Sequence, residues 1–127
     1  MVPLGCDRIT AGQFRRIALG LPDAVEGAHM GHPDFRVGGR IFATIHDGNR
    51  TGMVKLTPDQ QTQFVADFPR AFEPSAGAWG RGGATTVRFA ELDEETAGEA
   101  LTLAWTNVRA TAKPVAKSRA TSTRRRR

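Results

Sequence analysis

The chain has one cysteine in 127 residues, Cys6, so it can form no internal disulfide. That absence suits a reducing compartment, and the expected location is cytoplasmic. It has no apolar run long enough to span a bilayer. Its first residues, Met1-Val2-Pro3-Leu4-Gly5-Cys6-Asp7-Arg8, lack the charged leader and apolar stretch of a signal peptide. Apolar residues are scarce at 39%, and part of that deficit lies at the C-terminal end. Residues 111–127 contain no acid at all, yet they carry Lys113, Lys117, Arg119, Arg124, Arg125, Arg126 and Arg127. The formal charge of +5 therefore divides unevenly. Residues 1–110 hold eleven Lys+Arg against thirteen Asp+Glu, and the last 17 residues carry +7. The high isoelectric point belongs to the tail, so it cannot imply a basic surface on the domain. A polar, charged segment of this composition cannot bury enough to order itself and reads as disordered.

What remains is one domain over residues 10–110, after a loose start at 1–9, and it is long enough to hold a core without staples. Thr10 with Gln13 three residues on makes a capping box, and Phe14, Ile17, Ala18 and Leu21 form an apolar helical stripe. Residues 24–30 read as a strand. Gly31-His32-Pro33-Asp34 reads as a turn, since the residue before proline avoids helical geometry. Strands follow at 34–37 and 40–46, joined at Gly38-Gly39, where two glycines allow the positive φ of a tight hairpin. A second hairpin at Asp47-Gly48-Asn49 leads into a strand over 50–56. An even loop at the paired glycines would place Phe35 opposite Phe42 and Arg36 opposite Ile41. Ile41, Ala43, Ile45, Val54 and Leu56 would then share the core face. The other face would carry Phe35, Val37, Arg40, Phe42, Thr44, His46, Thr51, Met53 and Lys55. Arg36 would fall on the core side near the hairpin tip.

Thr57-Pro58-Asp59-Gln60 is a second helix start, with Gln61, Phe64, Val65 and Phe68 on its buried side. Residues 70–83 have no clear period and read as a glycine-rich loop containing Trp79. Residues 84–89 alternate as a last strand. Asp93 caps a final helix with Ala97, Ala100, Leu101, Ala104, Trp105 and Val108 inward. The expected fold is α+β: one antiparallel sheet of about five strands built from hairpins, with three helices.

Three segments carry a family likeness. They are Gly31-His32-Pro33-Asp34-Phe35-Arg36-Val37-Gly38-Gly39-Arg40-Ile41-Phe42, then Met53-Val54-Lys55-Leu56-Thr57-Pro58, then Gly77-Ala78-Trp79-Gly80-Arg81-Gly82-Gly83-Ala84-Thr85-Thr86-Val87. Together with Ala104-Trp105-Thr106-Asn107-Val108, these resemble the MmcQ/YjbR family. The resemblance implies a CyaY-like fold and a double-wing DNA-binding motif. It implies no enzymatic activity and no cofactor.

His29 and His32, with Asp34 nearby, could ligate a transition metal, but they lie in a turn and read more simply as braces for it. Cys6 has no base beside it to make it a nucleophile. The glycine-rich stretch could cradle an anion, with Arg81 pairing it and Trp79 stacking a base. The simpler reading has Trp79 plugging the edge of the core while the glycines let the chain pass. No catalytic residue, metal ligand or cofactor is assigned. The expected function is DNA binding, with Arg36, Arg40, Lys55, Trp79, Arg81 and Arg88 in the domain and Arg124, Arg125, Arg126 and Arg127 in the tail making the contacts. The alternative is a non-enzymatic module that binds a small ligand or a protein through the loop carrying Trp79 and Arg81. No membrane contact is expected.

Overall fold

In the computed structural model, residues 9–29, 31–46, 48 and 50–111 are described. The tail arginines Arg124 to Arg127, with the tail itself, lie outside these residues. Among these residues four α-helices and six strands follow in chain order: α1 (Ala11–Leu19), β1 (Val25–His29), β2 (His32–Val37), β3 (Arg40–His46), β4 (Thr51–Lys55), α2 (Pro58–Asp67), β5 (Phe72–Pro74), α3 (Gly77–Arg81), β6 (Ala84–Arg88) and α4 (Glu94–Thr111). The strands form one sheet in the order β1-β2-β3-β4-β6-β5, antiparallel throughout. The α+β class and the single antiparallel sheet are as expected.

Local chemistry accounts for the helix starts. Thr10 accepts from the Gln13 backbone N–H at 3.1 Å, and the Gln13 side chain accepts from the Thr10 N–H at 2.9 Å. Thr57 and Gln60 repeat the device at 3.1 and 3.0 Å, with Pro58 opening the helix where no N–H is needed. The Asp93 carboxylate accepts from the Thr96 N–H at 2.6 Å and starts α4. Helix α4 packs across β3 and β4 and against α1. Phe14, Phe35, Phe42, Phe72, Ile45, Leu92, Leu101, Val54 and Val87 are fully buried in the resulting core. Each such side chain contributes roughly 1.5–3 kcal/mol by leaving water. Ile9, read as part of a loose start, is also buried there, and its N–H reaches the Phe89 carbonyl.

The structure corrects the sheet facing. Gly38 and Gly39 have φ of 62° and 81°, so the hairpin turn is the two-residue kind expected. Val37 pairs with Arg40 and Arg36 with Ile41, but the register then slips, and Phe35 pairs with Ala43 rather than with Phe42. One extra residue in β3, Phe42, makes a bulge. Phe35 and Val37 therefore turn into the core, and Asp34 and Arg36 share the opposite face. Phe35 and Phe42 are both 0% exposed, and Met53 is buried as well. The interleaved aromatic and basic surface expected on this sheet does not form.

Two other elements differ. Gly31, at φ 82°, stands just before β2, and His32 and Pro33, expected in the turn, already belong to that strand. The stretch read as a loop over 70–83 contains β5 and the one-and-a-half-turn α3. These supply the sixth strand and fourth helix. Gln61 fastens this region to α2. Its amide donates to the Gly80 and Ala84 carbonyls at 2.9 Å each and lies 3.3 Å from Thr85 Oγ1. Gln61→Leu leaves buried acceptors without a donor and is expected to cost about 1–3 kcal/mol in urea unfolding.

At one end of the sheet, the His32 and His46 rings lie 4.7 Å apart, and His46 Nε2 is 2.5 Å from Thr44 Oγ1. Burial first, then the nearby His32, pushes the His46 imidazole below its ordinary value of 6.5. The unfolded chain therefore takes up this proton more readily than the folded one. Stability from this group is complete above about pH 6.5 and is lost as pH falls toward the lowered folded value. A melting temperature that declines as pH falls below about 6.5, with a flatter profile in His46→Gln, is the expected result.

Candidate anion-binding site

The β2–β3 turn, the end of β4 and the last turns of α4 meet around a cleft of about 590 Å³. Its walls are Arg36, Gly39, Arg40, Ile41, Lys55, Leu56, Asn107 and Val108. Three of these side chains are cationic and none is acidic. The glycine turn carries Arg40, the β4 end carries Lys55, and α4 supplies the floor. Asn107 holds that floor in place: its amide donates to the Lys55 carbonyl at 3.0 Å and to Gln60 Oε1 at 2.7 Å.

The three cations are not equivalent. Arg36 makes a two-point ion pair with Asp34, Nε to Oδ1 at 2.8 Å and the second amino nitrogen to Oδ2 at 3.0 Å. The hydrogen bonds to Asp34, then its charge, raise the Arg36 pKa further. Asp34 is a fully buried carboxylate, so the pair is structural and Arg36 brings little free charge to the cleft. Arg40 and Lys55 are exposed and have no acidic partner among the described residues. They carry the positive potential of the cleft.

The remaining predicted residues divide by position. The Trp79 and Arg81 helix is at the same end of the sheet as Lys55, because Lys55 pairs with Ala84 and the Leu56 N–H donates to the Gly83 carbonyl. Trp79 is 68% exposed, so it does not plug the core. The glycines here serve close approach instead. A Cβ on Gly80 would lie 1.7 Å from the Ser75 carbonyl oxygen, and one on Gly83 1.9 Å from that of Leu56. The Gly82 and Gly83 N–H groups are bonded to Ala78 and Gly80, so they are not available to an anion. Arg88 sits at the other end, opposite Thr51, donating to the Arg70 carbonyl and paired with Glu73. It does not join the cleft. Asn107 was missed as a site residue, since nothing in a helical stripe shows that its amide ties two other elements together.

The family model YjbR matches residues 19–107. The chain belongs to the YjbR family. The YjbR match spans β1 through most of α4 and so includes every residue lining the cleft except Val108. No curated protein matches the chain. Among solved structures, the fold is similar to the crystal structure of Deinococcus radiodurans protein DR2400, which carries the domain DUF419. The TM-score is 0.70 at 17% identity, covering 88% of this chain and 86% of that one. This likeness establishes a shared fold. Among the described residues no helix is long and apolar enough to cross a membrane.

Proposed function

We propose that this YjbR-family domain is a non-catalytic DNA-binding module that grips phosphates with Arg40 and Lys55. The observation that carries the reading is a cleft with two unpaired cations and no acid, in a domain whose overall charge is slightly negative. Exposed Trp79 and Arg81 at the same end of the sheet add an aromatic face and a third cation with no acidic partner among the described residues. The cationic sequence that begins at Lys113 follows the last cleft residue, Val108, by only five positions. Catalysis gains no support from the histidines: both oxygens of Asp34 are taken by Arg36, and His32 pairs with His46.

Fluorescence anisotropy with a short labelled duplex tests this reading, using the full chain and a chain ending at Thr111 at two salt concentrations. Both bind at low salt, and the shorter chain loses less affinity as salt rises, because fewer counterions are released. If the shorter chain does not bind at low salt, the domain reading fails and only the tail binds. A second reading is favoured by size alone, since about 590 Å³ is within the range of small-molecule pockets. A small anion would then occupy the cleft. In that case a mononucleotide binds the shorter chain in calorimetry while the duplex does not.

A further inference from the structure

All three histidines of the chain stand in one row across the sheet, at the end away from the cationic cleft. His29 pairs with His32 in the β1–β2 register. Asp34 pairs with Thr44 across β2 and β3, and two residues further along each strand, on the same face, stand His32 and His46. His46 in turn pairs with Thr51. Side chains directly opposite on antiparallel strands are the closest neighbours a sheet offers. The His32 and His46 rings accordingly lie 4.7 Å apart, tilted by 57°.

We propose that His32 and His46 form a cross-strand binding site for a divalent transition metal, Zn²⁺, Ni²⁺ or Cu²⁺, with water completing the coordination. Imidazole nitrogen is the donor these ions prefer, and calcium or magnesium would favour carboxylate oxygens, which His32, His46 and Thr51 do not supply. Asp34, two residues along β2 from His32 on the same face, has both oxygens engaged by Arg36 at 2.8 and 3.0 Å. Among the described residues no group of three or more His, Cys, Asp or Glu converges, so the proposal is a two-imidazole site. The Thr44 hydroxyl 2.5 Å from His46 Nε2 supplies an orienting partner. With Nε2–H donated to Thr44 Oγ1, Nδ1 is the nitrogen that keeps its lone pair for the ion, the arrangement that outer hydrogen bonds usually impose on metal-bound histidine.

Isothermal titration of tag-free full-length protein with zinc, nickel and copper chlorides provides the test. One ion per chain is expected for at least one of the three metals. His32→Ala and His46→Ala are each expected to weaken that binding at least about tenfold, and Thr44→Val by a smaller factor in the same direction. Proton NMR separates binding from folding defects: adding diamagnetic zinc shifts the His32 and His46 ring resonances in the unmodified chain, and the rest of each variant's spectrum stays native. No heat with any metal, or binding that survives both His→Ala changes, overturns the proposal. DNA binding by Arg40 and Lys55 is untouched by either result.

Discussion

Gly83→Ala is expected to be the most damaging single methyl addition in the domain, lowering unfolding free energy by roughly 3 kcal/mol or more. Two costs coincide there. Gly83 has φ of 113°, a backbone region that residues with a Cβ avoid, and the new Cβ would lie 1.9 Å from the Leu56 carbonyl oxygen. That oxygen belongs to backbone on the wall of the cleft, so it cannot swing aside as a flexible side chain would. Two companion variants separate the costs. Gly39→Ala has the positive φ of 81° with nothing within 4 Å, and should lose only about 1–2 kcal/mol. Gly80→Ala carries the clash, 1.7 Å from the Ser75 oxygen, in ordinary helical geometry. Urea unfolding of the three should order them with Gly39 mildest. Equal losses at Gly39 and Gly83 would mean that the close approach at Leu56 carries no weight.

The double change Arg40→Ala with Lys55→Ala is expected to lower affinity for duplex DNA by about tenfold or more at low salt. It should also reduce the slope of log K against log salt by close to two, one for each phosphate contact removed. Both side chains are exposed and lack acidic partners among the described residues, so their loss should leave stability nearly unchanged. Arg88→Ala is the natural comparison. It removes one positive charge, against two in the double variant, from the other end of the sheet, where Arg88 is already bound to Arg70 and Glu73. Its DNA affinity should stay within about twofold of the starting chain, because a neutralised and distant cation releases few counterions. If all three arginine and lysine changes weaken binding equally, charge alone is being read and the cleft has no special part.

The elements set by local chemistry were legible in the amino-acid sequence. Thr10 with Gln13, and Thr57 with Pro58 and Gln60, mark helix starts through side chains that bond their own neighbours. The paired glycines at 38 and 39 likewise announced their turn. The facing of the β2–β3 hairpin was not legible from turn length, because one bulge at Phe42 reverses everything between it and the turn. Ile41-Phe42-Ala43 is a continuous apolar run and gives alternation nothing to count. The better signal was β2 itself, where Phe35, Arg36 and Val37 alternate and place Arg36 outward. The strand Phe72–Pro74 and helix Gly77–Arg81 escaped for a different reason. They are too short to show a period, and they are held by Gln61 and by glycine contacts far away in sequence.

The candidate site was legible as residue types and not as a place. Arg40 and Lys55 were named from a sheet face that does not form, yet the hairpin tip and the β4 end bring them together. Arg36 was grouped with them, but its bond to buried Asp34 gives it a structural role. Trp79 was counted among the DNA contacts, with packing at the core edge as its simpler reading, and it stands in solvent.

Amide NMR of the ¹⁵N-labelled full chain during titration with a short DNA duplex tests the central claim most directly. Shifts are expected at Gly39, Arg40, Ile41, Lys55, Leu56 and Asn107, with smaller ones at Trp79 and Arg81, and none at His32, Thr51 or Arg88. Shifts confined to residues after Thr111, or centred on the Arg88 end of the sheet, would contradict it.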